Sequence, residues 1–311
     1  MIAPANSRYL TLNAYLRQRF GQRVQKIPLD AGFNCPNRDG TLSSKGCDFC
    51  NATGSGSGLL GQGLSLTKQW EHWRELFVSN SKTRVFLAYL QSFSNTHAPL
   101  SRIEAVLDEL RDLPALVGLC IGTRPDCLEQ EKIDCIAAFP AKEIHLELGL
   151  QSANDATLKR IHRGHDVACF ADATRRAHAA GLKVVAHLIA GLPGEDADDF
   201  KRSIDLVNDL PVHGLKIHNL YVCHETALAG QWERGEYVPL ELPEYVDIVI
   251  WALAHLRPDM VIHRLNGDPA PGELLAPDWA AEKQRILTTI HPLMKRLQIR
   301  QGCAFRPSDS P

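Results

Sequence analysis

In EIHLELGLQ, residues 143–151, Leu146, Leu148 and Leu150 fall on one face of an alternating pattern, and His145, Glu147, Gly149 and Gln151 fall on the other. A strand covered on both faces of a parallel sheet is normally apolar throughout. One polar face therefore asks for a barrel interior, with chemistry gathered at the C-terminal strand ends. A buried hydrogen-bond network without a ligand is the plain alternative, and it must satisfy every one of these groups.

Short β-branched or Leu-rich runs flank this stretch and alternate with helical patterns: VQKIPLD (24–30), RVFLAYLQ (84–91), VGLCIG (117–122), LKVVAHLIA (182–190) and LKIHNLYV (215–222). Helical periodicity lies between them at 67–80, 99–113, 165–181 and 196–210. The pattern predicts an α/β fold, a partial (β/α)6 TIM-type barrel of six strand-helix units over residues 1–225. His187 on the fifth strand and Lys216 and His218 on the sixth add polar groups near the active end. After Val222 the alternation stops, and 226–311 reads as a mainly helical extension packed on the barrel. It has helices at 226–235 and 242–257, a short strand MVIHRL (260–265) and a long helix at 278–298. Trp279, Ile286, Ile290, Leu293 and Leu297 form the stripe expected to pack on the barrel.

The chain has 311 residues, 44% of them hydrophobic, enough for one large core. A formal net charge of −2 gives no general drive toward nucleic acid. The first 23 residues read as an amphipathic helix with Leu10, Leu12 and Leu16 rather than an export signal. The most apolar segment, 245–256, contains Asp247 and is far short of a membrane span. Nine cysteines in such a chain suggest thiols, metal or catalysis and a cytoplasmic location, with no membrane partner. GSGSGLLGQG (54–63) lacks the GK[ST] ending of a phosphate loop and reads as a mobile loop, a lid in the functional reading. The tail FRPSDSP (305–311) reads as disordered.

CPNRDGTLSSKGCDFC, residues 35–50, gathers Cys35, Cys47 and Cys50. A structural zinc needs a fourth thiolate or imidazole, and an iron–sulfur cluster usually takes four cysteines. Asp48 and His72 are the distant donors available for zinc, which would make the chain a zinc-stabilised nucleic-acid-binding module. Unrelated surface cysteines are the other bland reading. The remaining one is a 4Fe-4S cluster with one iron open to a ligand that is not protein.

The sequence resembles the radical S-adenosylmethionine (SAM) enzymes, in particular the YhcC-type proteins, a sister group of the Elongator catalytic subunit. The likeness covers roughly residues 8–300 and rests on the three cysteines, Phe49 before the last of them, TRPD (123–126), ELGLQS (147–152), LKRIHRGH (158–165) and HLIAGLPGE (187–195), in family order. HNLYV (218–222), HRLNGD (263–268) and LLAPDW (274–279) resemble the narrower group.

The resemblance implies that Cys35, Cys47 and Cys50 bind a 4Fe-4S cluster and that the amine and carboxylate of SAM fill its fourth iron. An electron from a small flavodoxin- or ferredoxin-type donor would then cleave SAM to a 5′-deoxyadenosyl radical, which abstracts hydrogen from a substrate. It further implies that Arg163 grips the SAM carboxylate, that Gln151 and Glu147 contact SAM, that His187 lies near the ribose, and that Ile189 and Gly191 lie along the adenine. The family's GGE-like turn after the second strand is LQSF here, which offers Gln91 and Ser92, and Gly122 stands where Elongator-like proteins have glutamate. Lys216, His218, His263 and Asp268 are expected at the substrate, Cys127 as a thiol donor or a packed cysteine, and Cys223 and Cys303 have no assignment. RNA, a metabolite and a peptide all remain open as substrate.

Overall fold

The computed structural model describes residues 3, 4, 7–51, 54, 60–81 and 83–307. The lid expectation for 55–59 and the disorder expectation for 308–311 lie outside the described residues. Helix α1 (Leu12–Phe20) leads into seven parallel strands: β1 (Val24–Leu29), β2 (Val85–Leu90), β3 (Leu116–Thr123), β4 (Glu143–Gln151), β5 (Lys183–Ala190), β6 (Val212–Asn219) and β8 (Val261–Arg264), hydrogen-bonded in that order. Helices α2 (Leu66–Asn80), α3 (Leu100–Arg111), α4 (Gln130–Ala137), α5 (Asp155–Arg160), α6 (Val167–Ala179) and α7 (Ala197–Asp209) fill the crossovers. A second sheet pairs β7 (Val222–Cys223) antiparallel with β9 (Leu274–Ala276). Helices α8 (Ala227–Glu233), α9 (Leu242–His255) and α10 (Lys283–Arg296) complete the chain. No described helix is long and apolar enough to cross a membrane.

The sheet is one strand larger than the six predicted. MVIHRL, read as part of the extension, pairs with β6 as a seventh parallel strand, Gly214 opposite Val261 and Lys216 opposite Arg264. Residues beyond 225 thus complete the curled half-barrel.

Leu146, Leu148 and Leu150 sit in the main core beneath the outer helices, while Glu143, His145 and Glu147 are buried on the inner face. The open side between β1 and β8 is spanned from below by the N-terminal segment. Leu10 O accepts from Ile262 N at 2.8 Å, and Leu10, Tyr15 and Leu16 pack against Val24, Leu87 and Val261. Leu10 lies before the helix, so the stripe expected there is split between an extended segment and α1. In α10, Ile286, Ile290 and Met294 are fully buried, whereas Leu297 is 52% exposed at its end. The stripe turns inward through Met294 rather than continuing to Leu297, since positions four apart keep one face and Ile286, Ile290 and Met294 share that spacing.

Candidate active site

One cavity of about 410 Å³ opens at the C-terminal strand ends, and Cys35, Cys47 and Cys50 all lie in its wall. The loop carrying them owes its shape to two side chains. Asn37 Nδ2 donates to the carbonyls of His162 (2.7 Å) and Arg163 (3.2 Å) and lies 3.4 Å from Cys47 Sγ. Arg38 Nη2 donates to the carbonyls of Cys50 (2.7 Å) and Asn51 (2.5 Å). All nine cysteines are free thiols. Burial pushes the Cys50 thiol up, and the neighbouring Cys47 adds to it against the opposing pull of Arg38.

Neither distant zinc donor reaches this wall. Asp48 is engaged by His162 Nδ1 at 2.6 Å and Gln231 Nε2 at 3.0 Å, and the His72 ring packs edge-on to Trp73 on α2. Among the described residues, no three Cys, His, Asp or Glu side chains converge as ligands of one ion must.

Arg163 follows α5 and is buried. Its Nη2 donates to Gly149 O at 2.8 Å, its Nε to His165 Nε2 at 2.9 Å, and its Nη1 lies 3.7 Å from Cys47 Sγ. Glycine at 149 leaves room for the ends of two side chains: a Cβ there would lie 2.5 Å from both Arg163 Nη2 and Gln151 Nε2, so both would have to shift. The β4–β5 register shifts between Gly149 and Gln151, and Gln151 has φ of 76°, a conformation that costs a non-glycine residue energy and aims its side chain into the cavity.

Deeper in the barrel, Glu147 is buried and holds three partners. Lys26 Nζ donates at 2.5 Å, Lys216 Nζ in a shorter contact, and His187 Nε2 lies at 3.1 Å. Burial alone would raise the Glu147 carboxyl, but Lys216 and Lys26 outweigh it and hold the group well below its usual range. Burial pulls His187 down to about 4, and Lys216 adds to the effect, so its imidazole is neutral at pH 7. Tyr89 accepts from Lys216 Nζ at 3.0 Å, and both lysine heads lie over its ring.

The cavity wall thus joins Gln91, Glu147, Gln151, Arg163 and His187 with the three cysteines, and Ile189 lines its extension toward Cys223. Ser92 and Gly191 are not in that wall. Ser92 is fully buried with Oγ unpartnered, and Gly191, at φ of 87°, has Leu240 Cγ 2.9 Å from where a Cβ would stand. Cys127 is buried against Ser94, with Oγ to Sγ of 3.7 Å. His263 lies below the cavity, its ring 5.1 Å from that of His145, whereas Lys216, His218 and Asp268 reach the wall.

Arg124 was missed as a site residue although TRPD contains it. Its guanidinium is buried, forks onto Asp126 at 2.9 and 2.7 Å, and leaves Nη1 unpartnered at the cavity. Asn37, Tyr89, Tyr221, Arg264 and Glu273 were missed as well. The alternation in RVFLAYLQ could have flagged Tyr89, which shares an inward face with Gln91. No local pattern flags the others.

Comparison with known proteins bears on this geometry. The Radical SAM superfamily model matches residues 35–207 and the Radical_SAM C-terminal domain model matches 212–296. The chain is 36% identical over 300 residues to the uncharacterized protein YtqA of Bacillus subtilis, covering 96% of this chain and 93% of that one. It is 37% identical over 294 residues to protein YhcC of Escherichia coli, covering 94% of each. Among solved structures, Methanocaldococcus infernus Elp3 with its N-terminus deleted superposes with a TM-score of 0.68 at 19% identity, covering 89% of this chain and 64% of that one, a likeness of fold alone. A half-barrel whose open end collects three cysteines, together with a family match over more than half its length, places the chain in the radical SAM superfamily, enzymes that use a 4Fe-4S cluster and S-adenosylmethionine.

Proposed function

We propose that Cys35, Cys47 and Cys50 hold a 4Fe-4S cluster by three thiolates and that SAM, bound beside it, is cleaved by an electron from a flavodoxin- or ferredoxin-type donor. The observation that carries this reading is the sharing of one cavity wall by the three thiols and two buried guanidiniums, Arg124 and Arg163. The donor set suits the group. Thiols deprotonate on binding iron, and Arg124 Nη1 is a buried donor in want of an anion. When bound, cluster and SAM supply a 5′-deoxyadenosyl radical able to take hydrogen from an unactivated C–H bond.

The chain's own residues do the rest of the work. Asn37 and Arg38 fix the cysteine loop, so the three thiols are held before any ligand arrives. Arg163 presents a planar fork suited to the SAM carboxylate, with Gly149 leaving the space it needs. Gln151 at the end of β4 and Gln91 just after β2 offer amides, and Ile189 an apolar surface for the adenine. Neutral His187 donates Nε2–H to Glu147, which fixes its ring and leaves Nδ1 as an acceptor for a ribose hydroxyl. The cavity walls keep water from a reactive intermediate. The substrate is outside this reading, and the likeness to Elp3 carries no RNA activity over to this chain.

The test is oxygen-free reconstitution followed by iron and sulfide analysis and electron paramagnetic resonance of the reduced protein. A 4Fe-4S signal that changes on adding SAM, with 5′-deoxyadenosine released under dithionite, is expected. About one zinc per chain and no response to SAM overturns the reading.

A further inference from the structure

The part of the cavity wall left over by the reading above is strongly cationic. Lys216 on β6 and Arg264 on β8 are register partners, so two cations stand side by side on adjacent strands facing one space. Like charges so placed repel unless each has a counter-charge. Glu147 serves both Lys216 and Lys26. Asp268 is taken by Lys283 at 2.9 Å and receives Nδ2 of Asn266 at 2.8 Å, leaving Arg264 Nη2 at 3.5 Å, a loose contact. Four cations thus share two carboxylates. Glu273, the remaining carboxylate of the wall, is committed to Asn51 Nδ2 at 2.8 Å and to Cys223 Sγ. Beside Arg264, the buried His218 Nε2 has no partner. The positive field is felt by its neighbours: burial pulls Lys216 down to about 8 despite Glu147, with Lys26 and Arg264 contributing. His218 is likewise pushed down by burial and by His187, Arg264 and Lys216.

We propose that Arg264, Lys216 and His218 form an anion-binding subsite, so that the substrate of this enzyme carries a carboxylate or phosphate group anchored on β6 and β8 across the cavity from the cysteine loop. This deepens the radical SAM reading and rests on it for the word substrate, though not for the binding itself. The guanidinium of Arg264 supplies a planar fork, His218 Nε2 a donor in its Nε2–H tautomer, and Lys216 a point charge. Asp268 is the internal competitor that a bound anion would displace from Arg264.

The experiment is calorimetric titration of reconstituted full-length protein, saturated with SAM, with inorganic phosphate and separately with acetate. The tighter of the two identifies the group. Arg264→Gln is expected to weaken that binding about 10-fold or more, the scale of a charged hydrogen bond. Asp268→Asn is expected to tighten it severalfold, a gain that a merely structural disturbance would not give. Equal affinity in wild type and Arg264→Gln overturns the proposal, as does weaker binding in Asp268→Asn. Phosphorus relaxation in the presence of the reduced protein separates the two readings. Arg264-dependent binding without paramagnetic enhancement keeps the anion site and removes the cluster. A SAM-responsive cluster signal with no Arg264-dependent binding keeps the cluster and removes the anion site.

Discussion

Arg163 Nη1 lies 3.7 Å from Cys47 Sγ while Nη2 of the same guanidinium donates to Gly149 O at 2.8 Å, so one buried arginine ties the end of β4 to the cysteine loop. Its fork is therefore already oriented before any carboxylate arrives. Arg163→Met should keep iron near the wild-type level and weaken SAM about 10- to 100-fold, the scale of a lost bidentate ion contact. Arg163→Lys should recover only part of this, because a point charge cannot span both positions. Equilibrium binding of SAM to the reconstituted protein measures both, and unchanged affinity in Arg163→Met would remove the residue from the SAM site.

The thiols offer a contrast within one chain. Cys35→Ala, Cys47→Ala and Cys50→Ala should each lose most bound iron, whereas Cys120→Ala and Cys135→Ala should retain it. Cys120 is buried between Lys26 and His145 inside the barrel, and Cys135 lies on α4. Iron analysis and the visible cluster absorbance decide the matter. Equal iron in all five variants would defeat the three-thiolate assignment.

Glu147 is the counter-charge for two lysines, and losing it leaves both without compensation. Glu147→Gln should cost about 3–5 kcal/mol, as breaking a buried ion pair from one side does. Adding Lys26→Met should restore part of that by removing one of the stranded charges. Chemical denaturation of the cluster-free protein checks this, and a double variant no more stable than the single one would show the lysines to be compensated elsewhere.

Two groups at the closed end of the barrel contribute to acid sensitivity. Burial raises Glu143, but hydrogen bonds from His145, Lys183 and Tyr15 bring it down to about 2. It therefore contributes stability above its unfolded value near 4.5, lost as pH falls toward 2. Burial lowers His213 to about 4, with His145 and Lys183 adding. The unfolded chain takes that proton near 6.5, so stability falls between pH 6.5 and 4. His213→Phe should reduce the fall in melting temperature over that upper window by one proton's share, with His187 and His218 keeping theirs, and leave the lower window as it is. An unchanged profile would place the acid response elsewhere.

Gly191 stands against Leu240 with φ of 87°, and an alanine there meets both obstacles at once. Gly191→Ala should cost about 1–3 kcal/mol. Leu240→Ala in the same chain should recover the steric share and leave the backbone share. Full additivity of the two losses would contradict the contact.

Most of the barrel was legible because its evidence is local. The period-two pattern of residues 143–151 exposed a polar inner face, and six strands and four helices could be located from periodicity alone. The short α4 and α5 carried too few turns for periodicity to register. MVIHRL was recognised as a strand, but nothing in its six residues names β6 as its neighbour, and the seventh parallel position follows only from pairing across the fold. The cysteine loop and Arg163 could be named from their motifs. Arg124 could not be given a role, since its value lies in burial beside Cys35 and Cys47, neither of them near it in sequence. The sequence by itself determined which side chains would face inward and which three thiols would share a loop, because strand alternation and short spacings are local constraints. Only the tertiary structure decided that Arg264 stands beside Lys216, that Glu147 answers two lysines, and that the N-terminal segment spans the open side of the barrel. Those relations join residues far apart along the chain, and burial and charge act through space.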